Sequence, residues 1–308
     1  MQKKLEYFFF LLARGFVLLL PLRSVQLLGA SIGYISYYLI SVRRRVALEN
    51  LAVAFPEKNP RERIRIAKGA FRNYGIALFE FLWFPKMNDK VIRDLVSSPD
   101  MEKLRIAAES AGKRGLVLLS GHFGNWELIA FSVARIIGHP FTIIVQTQSN
   151  EFVDAVINRN RCLLGNRVVP MGISVREILL TLRRGEIVAI APDQSGPKEG
   201  VYVDFFGRMT ASHQGPAAFS LKMGADMIYA FLIRQPDGRY VGEVIEVSRA
   251  DLPDQPEEAI VELTQRHTAI LEHYIRRYPD HWQWMHRRWK HTLDNTPQEK
   301  QQTSEATA

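Results

Sequence analysis

Residues 115–127, Gly-Leu-Val-Leu-Leu-Ser-Gly-His-Phe-Gly-Asn-Trp-Glu, carry an apolar run that stops abruptly at a histidine and a carboxylate. Val117, Leu118 and Leu119 follow a charged, glycine-containing segment, so they read as a strand buried on both faces. Ser120, Gly121 and Gly124 break the run, and residues 126–136 show helical periodicity. His122 is therefore expected at a strand-to-helix turn, with Glu127 in the first turn of the helix.

The same alternation continues downstream. Residues 141–145 read as a second buried strand, 150–164 as a helix carrying Arg159 and Arg161, 168–169 as a short strand and 174–184 as a helix. A third apolar strand, 187–191, ends in Pro192-Asp193-Gln194. Strands alternating with helices imply an α/β sheet, and such sheets place ligands just beyond their strand ends. His122 and Asp193 are thus expected to face one crevice. Residues 196–215, centred on Tyr202-Val203-Asp204-Phe205-Phe206-Gly207, read either as a hairpin or as a lid. A helix at 216–223 follows, then two strands, 227–233 and 239–247, joined by a Pro-Asp-Gly turn. A long amphipathic helix spans 257–278, and His281-Trp282-Gln283-Trp284-Met285-His286-Arg287-Arg288-Trp289-Lys290 comes after it.

Upstream, residues 7–42 are the most apolar part of the chain, interrupted only by Arg14 and Arg23. The uncharged run 24–42, at about 1.5 Å per helical residue, comes close to the ~30 Å hydrocarbon thickness of a bilayer. It is expected to attach the protein to a membrane, either spanning it or lying in its surface. Gly29 and Gly33 form a small-x-x-x-small pair suited to packing another helix. Arg43, Arg44 and Arg45 follow directly and place the body of the protein on the cytoplasmic side. Helices are expected over 46–55, over 61–82 after Asn59-Pro60, and over 100–112. The polar residues from 292 onward read as a disordered tail. The expected division is a membrane-associated segment 1–45, a catalytic domain 46–291 and a tail 292–308.

At 308 residues, 47% of them hydrophobic, the chain has enough apolar side chain for a large core. Its net charge of +8 suits an anionic membrane surface, and no nucleic-acid-binding motif accompanies it. The one cysteine, Cys162, rules out an internal disulfide and any multi-cysteine metal site. No His-Glu-x-x-His motif supplies zinc ligands, and no Gly-x-Ser-x-Gly elbow supplies a serine nucleophile. A histidine with a carboxylate partner is how proteins make a general base near neutral pH. His122, oriented by Glu127, would then deprotonate an alcohol belonging to the substrate, and backbone N–H groups after His122 would face the oxyanion. By residue pattern alone a spaced His–Glu pair is a weak signal.

Four further blocks join the Gly-His-Phe-Gly-Asn-Trp-Glu segment. They are Arg-Arg-Arg-Val-Ala-Leu-Glu-Asn-Leu-Ala-Val-Ala-Phe-Pro at 43–56, Ala-Pro-Asp-Gln at 191–194, Phe-Phe-Gly at 205–207 and Met-His-Arg-Arg-Trp at 285–289. Together, in this order, they resemble the bacterial lipid A biosynthesis acyltransferase family over nearly the whole chain. The resemblance implies a glycerol-3-phosphate acyltransferase-like fold, a mixed central sheet flanked by helices. It implies an enzyme at the cytoplasmic face of the inner membrane that moves a fatty acyl group from acyl carrier protein to a hydroxyl of a lipid A precursor, without a cofactor or metal. The family's His-x-x-x-x-acid motif falls on His122 and Glu127. Arg159, Asp193, Asn125, Arg287 and Arg288 are the residues expected to contact substrate. Transfer to another glycolipid or a lysophospholipid, thioester hydrolysis, and a non-enzymatic membrane-surface adaptor are the competing readings.

Overall fold

The computed structural model describes residues 1–172 and 174–293. The apolar N-terminus forms two helices, α1 (Gln2–Leu19) and α2 (Leu22–Leu39), separated where Pro21 stands as N-cap of the second. The expected uncharged helix over 24–42 is cut at Ile40. Helix α3 (Ser41–Ala54) leaves there at 90°. The bend delivers Arg43 to the carbonyl of Met285 at 3.1 Å and Asn50 to the carbonyls of Trp284 and His286 at 2.8 and 2.6 Å. Among the described residues no single helix is long and apolar enough to cross a membrane; only the bent pair α2–α3 reaches the length and composition together.

Helix α4 (Pro60–Trp83) opens on a capping box, in which the Asn59 side chain accepts from the N–H of Glu62 while the Glu62 carboxylate accepts from the N–H of Asn59. Gly29 and Gly33 of α2 pack against it. A Cβ on Gly33 would stand 2.3 Å from the carbonyl oxygen of Phe71, so only glycine permits the approach. The remaining elements, in order, are α5 (Asp89–Leu95), β1 (Val96–Ser97), α6 (Met101–Ser110), β2 (Leu116–Leu119), α7 (Trp126–Leu128), a π-helical turn (Ile129–Val133) running into α8 (Ala134–Ile137), β3 (Phe141–Val145), α9 (Glu151–Arg161), β4 (Arg167–Pro170), α10 (Ser174–Arg183), β5 (Ile187–Ile190), β6 (Val201–Asp204), β7 (Met209–Ser212), α11 (Gly215–Met223), β8 (Asp226–Arg234), β9 (Tyr240–Glu246) and α12 (Pro256–Arg277).

Seven strands form one sheet in the order β1-β9-β8-β2-β5-β3-β4. All neighbours run parallel except β8 and β9, the hairpin closed by the Pro-Asp-Gly turn, so the sheet is mixed. Strand side chains alternate between two cores. Val117 and Leu119 belong to one core with Leu182, Leu263, Leu271 and Tyr274, and Leu116 and Leu118 to the other with Phe84, Leu104, Leu128 and Phe131. This is a central sheet covered by helices on both sides. Strands β6 and β7 pair antiparallel as a hairpin whose Phe205 and Phe206 are buried, so the segment packs down on the domain rather than standing as a lid. Of the expected tail, Thr292 pairs with Thr210 and the N–H of Leu293 donates to Met209 O at 3.0 Å, extending the hairpin; residues 294–308 lie outside the described residues.

Candidate active site

Strands β2 and β5 are parallel neighbours in register Leu119↔Ile190. The chain runs three residues past each strand, from 119 to 122 and from 190 to 193, and so reaches the same height above the sheet. There Nδ1 of His122 lies 2.8 Å from Oδ1 of Asp193. The backbone N–H of His122 donates to Oδ2 of the same carboxylate at 2.8 Å, and the Trp282 indole N–H donates to Oδ2 at 2.9 Å. Burial works against a charge on Asp193, but His122 and these donors outweigh it and hold the carboxyl well below its usual range. Burial is also the largest influence on His122 and lowers its pKa; the Asp193 charge and hydrogen bond, with Glu127 behind them, overcome it and leave the imidazole above its ordinary value.

The turn that carries His122 is strapped from the C-terminal side. The N–H of Gln283 donates to the His122 carbonyl at 2.9 Å, and Gly124 N–H donates to the His281 carbonyl at 2.8 Å. Gly124 has φ +58°, and a Cβ there would stand 1.9 Å from Leu232 O, so the sharp turn against β8 requires glycine. Of the N–H groups after His122 that were expected to face an oxyanion, that of Gly124 is therefore already committed to a protein acceptor.

With Nδ1 held by a carboxylate, Nδ1 carries the proton and Nε2 is the basic nitrogen. It lies 3.4 Å from the side-chain nitrogen of Gln194, and the ring packs on Trp126 with centroids 5.0 Å apart. His122 lines a cavity of about 510 Å³. The walls near His122 include Ser120, Glu127, Arg161, Gln194 and His213; Phe81, Ile129, Phe141, Ile143 and Ile157 supply an apolar lining. The π-helical turn, with Ile129 and Ala130 on the cavity, shapes part of that wall. Such a mixed lining fits an amphiphile with its reactive carbon at the polar side. Among the described residues no three His, Cys, Asp or Glu side chains converge as a metal site would require.

Glu127 is on the cavity wall but does not hold His122. Both of its oxygens accept from Arg161, at 2.9 and 2.5 Å, in a fork that ties α7 to α9. The carboxylate that orients the imidazole is Asp193, and the expected His122–Glu127 pairing is corrected accordingly. The same helix sets where Arg159 stands. Arg159 and Arg161 are two residues apart, ~200° around a helix, so when Arg161 turns to the cavity Arg159 turns to solvent, where it is exposed. Asn125 is fully buried and lines no part of the cavity. It caps α7 by accepting from the N–H of Leu128 at 2.9 Å and donates to Glu80 at 2.7 Å. Arg287 is exposed, and Arg288 is buried against the β6–β7 hairpin, donating to Ala211 O and Ser212 Oγ at 2.9 and 2.7 Å. Neither reaches the cavity lining.

The model of the family described as bacterial lipid A biosynthesis acyltransferase matches residues 2–291. The chain belongs to that family. It is similar to the lipid A biosynthesis palmitoleoyltransferase of Escherichia coli K12, 27% identical over 277 residues that make up 88% of this chain and 86% of the relative. It is also similar to the lipid A biosynthesis lauroyltransferase of the same organism, 25% identical over 285 residues, 91% and 90% of the two chains. A phosphatidylinositol mannoside acyltransferase of Mycolicibacterium smegmatis is 24% identical over 240 residues, 76% and 74% of the two. The protein is an acyltransferase.

Several residues around His122 carry no signal in the sequence that would place them there. Trp282 stood inside the quoted aromatic run, but nothing in its spacing tied it to Asp193. Arg161 reads only as one of two arginines on the 150–164 helix, since the helical phase relative to the cavity is not readable from residues alone. Gln194 closes the Ala-Pro-Asp-Gln block, but nothing in that block assigns it to the imidazole, and Gln283 carries no pattern of its own.

Proposed function

We propose that this acyltransferase moves a fatty acyl chain from acyl carrier protein to a hydroxyl of a lipid A precursor, by direct transfer at the cytoplasmic face of the inner membrane. The observation that carries the reading is the placement of the His122–Asp193 pair at the polar side of a half-apolar cavity. Nε2 of His122 takes the proton of the acceptor hydroxyl as its oxygen attacks the thioester carbonyl. When the tetrahedral intermediate collapses, the C–S bond breaks, and the proton on Nε2 passes to the departing thiolate, regenerating neutral imidazole. Asp193 stays ionised throughout and stabilises the transient imidazolium. The Gln194 side chain is a neutral donor beside the reacting centre. No enzyme nucleophile takes part; burial pushes the half-buried Cys162 thiol up, away from the thiolate form. No cofactor or metal is required by these steps.

The membrane contact falls on α1 and α2. Phe8, Phe9, Leu12, Phe16, Leu27, Ile35, Tyr38 and Leu39 are all exposed, with Arg23, Arg43 and Arg45 beside them. Two short helices with apolar side chains turned outward and basic residues at their ends match an anionic lipid surface in which they lie, not one they cross.

The test is incubation of the purified protein with acyl carrier protein thioester and a lipid A precursor, read by mass spectrometry. Acylated lipid is the expected product. Free fatty acid alone would support hydrolysis, acylation confined to another glycolipid or a lysophospholipid would move the acceptor, and no turnover would leave an adaptor. A stable acyl-enzyme would overturn direct transfer.

A further inference from the structure

The fully buried carboxylate of Glu80, on α4, has no part in the chemistry above, yet it touches the catalytic turn. Oε2 accepts from the Asn125 side chain at 2.7 Å and from the Tyr240 hydroxyl at 2.6 Å, and Oε1 accepts from the Gln26 side chain at 2.7 Å. The orientation of both amides is fixed by backbone groups with one role each. Asn125 must turn its oxygen to the Leu128 N–H, 2.9 Å away, and so presents its nitrogen to Glu80. Gln26 must turn its nitrogen to Gly238 O at 2.9 Å, and presents nitrogen to Glu80 as well. The site thus needs an acceptor on both oxygens, which a carboxylate supplies and a carboxamide does not. Burial lifts the Glu80 pKa, while the three donors and Arg234 pull against it.

What Asn125 holds is the start of α7. That helix begins at Trp126, whose ring packs on His122, and continues to Glu127 on the cavity wall. Through Gln26 the same carboxylate reaches α2, the helix that bears part of the membrane-facing surface.

We propose that Glu80 is a positioning residue for acyl transfer: by holding the Asn125 carboxamide it fixes the Trp126–Glu127 segment against His122. The inference rests on His122 as base, whose own failure would show separately, as undiminished turnover in His122→Ala. Glu80→Gln puts a nitrogen against either Asn125 or Gln26. Relief by rotating Asn125 gives up the helix cap.

The experiment compares kcat and KM for acyl carrier protein thioester and lipid A precursor in four variants, each checked for its folded fraction. Glu80→Gln is expected to lower kcat at least tenfold with KM within about threefold. The double variant Glu80→Gln/Asn125→Asp exchanges donor and acceptor across the contact while leaving an oxygen for the Leu128 N–H, and is expected to recover kcat to within about threefold of wild type. Asn125→Ser keeps an oxygen for the cap but is too short to reach Glu80, and is expected to lose kcat as Glu80→Gln does; this variant decides the matter if Glu80→Gln does not fold. Tyr240→Phe removes another donor to Glu80 and is expected to lower stability alone. Wild-type kcat in Asn125→Ser, which leaves Glu80 nothing to hold at position 125, overturns the proposal. So does a double variant that regains thermal stability without regaining kcat, or a Tyr240→Phe as slow as Glu80→Gln.

Discussion

Nδ1 of His122 and Oδ1 of Asp193 stand 2.8 Å apart although 71 positions separate them in sequence, and Oδ2 of the same carboxylate receives the histidine's own backbone N–H. One side chain thus fixes the imidazole's tautomer, its tilt and the turn that bears it. Asp193→Asn replaces the acceptor for Nδ1–H and is expected to lower kcat by a factor on the order of 10² or more. It should also move the pH profile. In the proposed mechanism the base works as neutral imidazole, so wild-type kcat/KM is expected to fall as pH drops through a pKa above the ordinary histidine value. Without the carboxylate, burial dominates and the acid limb shifts to lower pH. A pH profile with an unmoved limb in Asp193→Asn would show that Asp193 does not set this pKa.

His122→Ala removes the proposed base and is expected to cost a factor on the order of 10² or more in kcat at every pH. Steady-state kinetics on folded enzyme checks this, and near-normal turnover removes His122 from the mechanism.

Glu127 is held by Arg161 with both side chains mostly buried, 13% and 15% exposed. Glu127→Ala leaves that guanidinium without its partner. The expected loss is about 3 kcal/mol of stability together with reduced activity, most of it restored in Glu127→Ala/Arg161→Ala because the stranded charge is gone. Thermal denaturation and turnover on both variants decide it. A single variant of normal stability and no activity would return Glu127 to the chemistry.

Ala189 of β5 lies on the cavity wall, in register with Leu118 on one side and Ile143 on the other. Ala189→Met should shorten the acyl chain the cavity accepts. The ratio of kcat/KM for short over long acyl donors is expected to rise by about tenfold or more, the scale of one or two methylenes in an apolar pocket. Competition between donors of different length, read by mass spectrometry, measures it; an unchanged ratio places the chain elsewhere.

Flotation with anionic phospholipid vesicles tests the membrane surface. Phe8→Ser/Phe9→Ser/Phe16→Ser removes three exposed aromatic rings and is expected to release most of the protein from vesicles, while Arg45→Gln should weaken binding chiefly at low salt. Salt-insensitive binding in the wild type would discount the arginines.

Local chemistry explains why much of the fold was legible. The Asn59-Pro60 start of α4, the Pro-Asp-Gly hairpin and the glycine-terminated strand before His122 are short-range signals. The break at Ile40 has no short-range signal, and the contacts that go with it, from Arg43 and Asn50 to the C-terminal segment, span more than 200 positions. The two-residue strand β1, paired with β9 across more than 140 positions, likewise has no pattern of its own.

The sequence by itself determined the alternation of buried strands and helices, the turn that presents His122 and the block order that marks the family, since each rests on residues close together in the chain. Only the tertiary structure decided which acid serves the histidine. His122 and Glu127 share one short segment, yet a helix start points Glu127 toward Arg161 on α9. The parallel register of β2 with β5 brings Asp193 to Nδ1 instead, and register between strands 71 positions apart is set by the packing of the whole sheet.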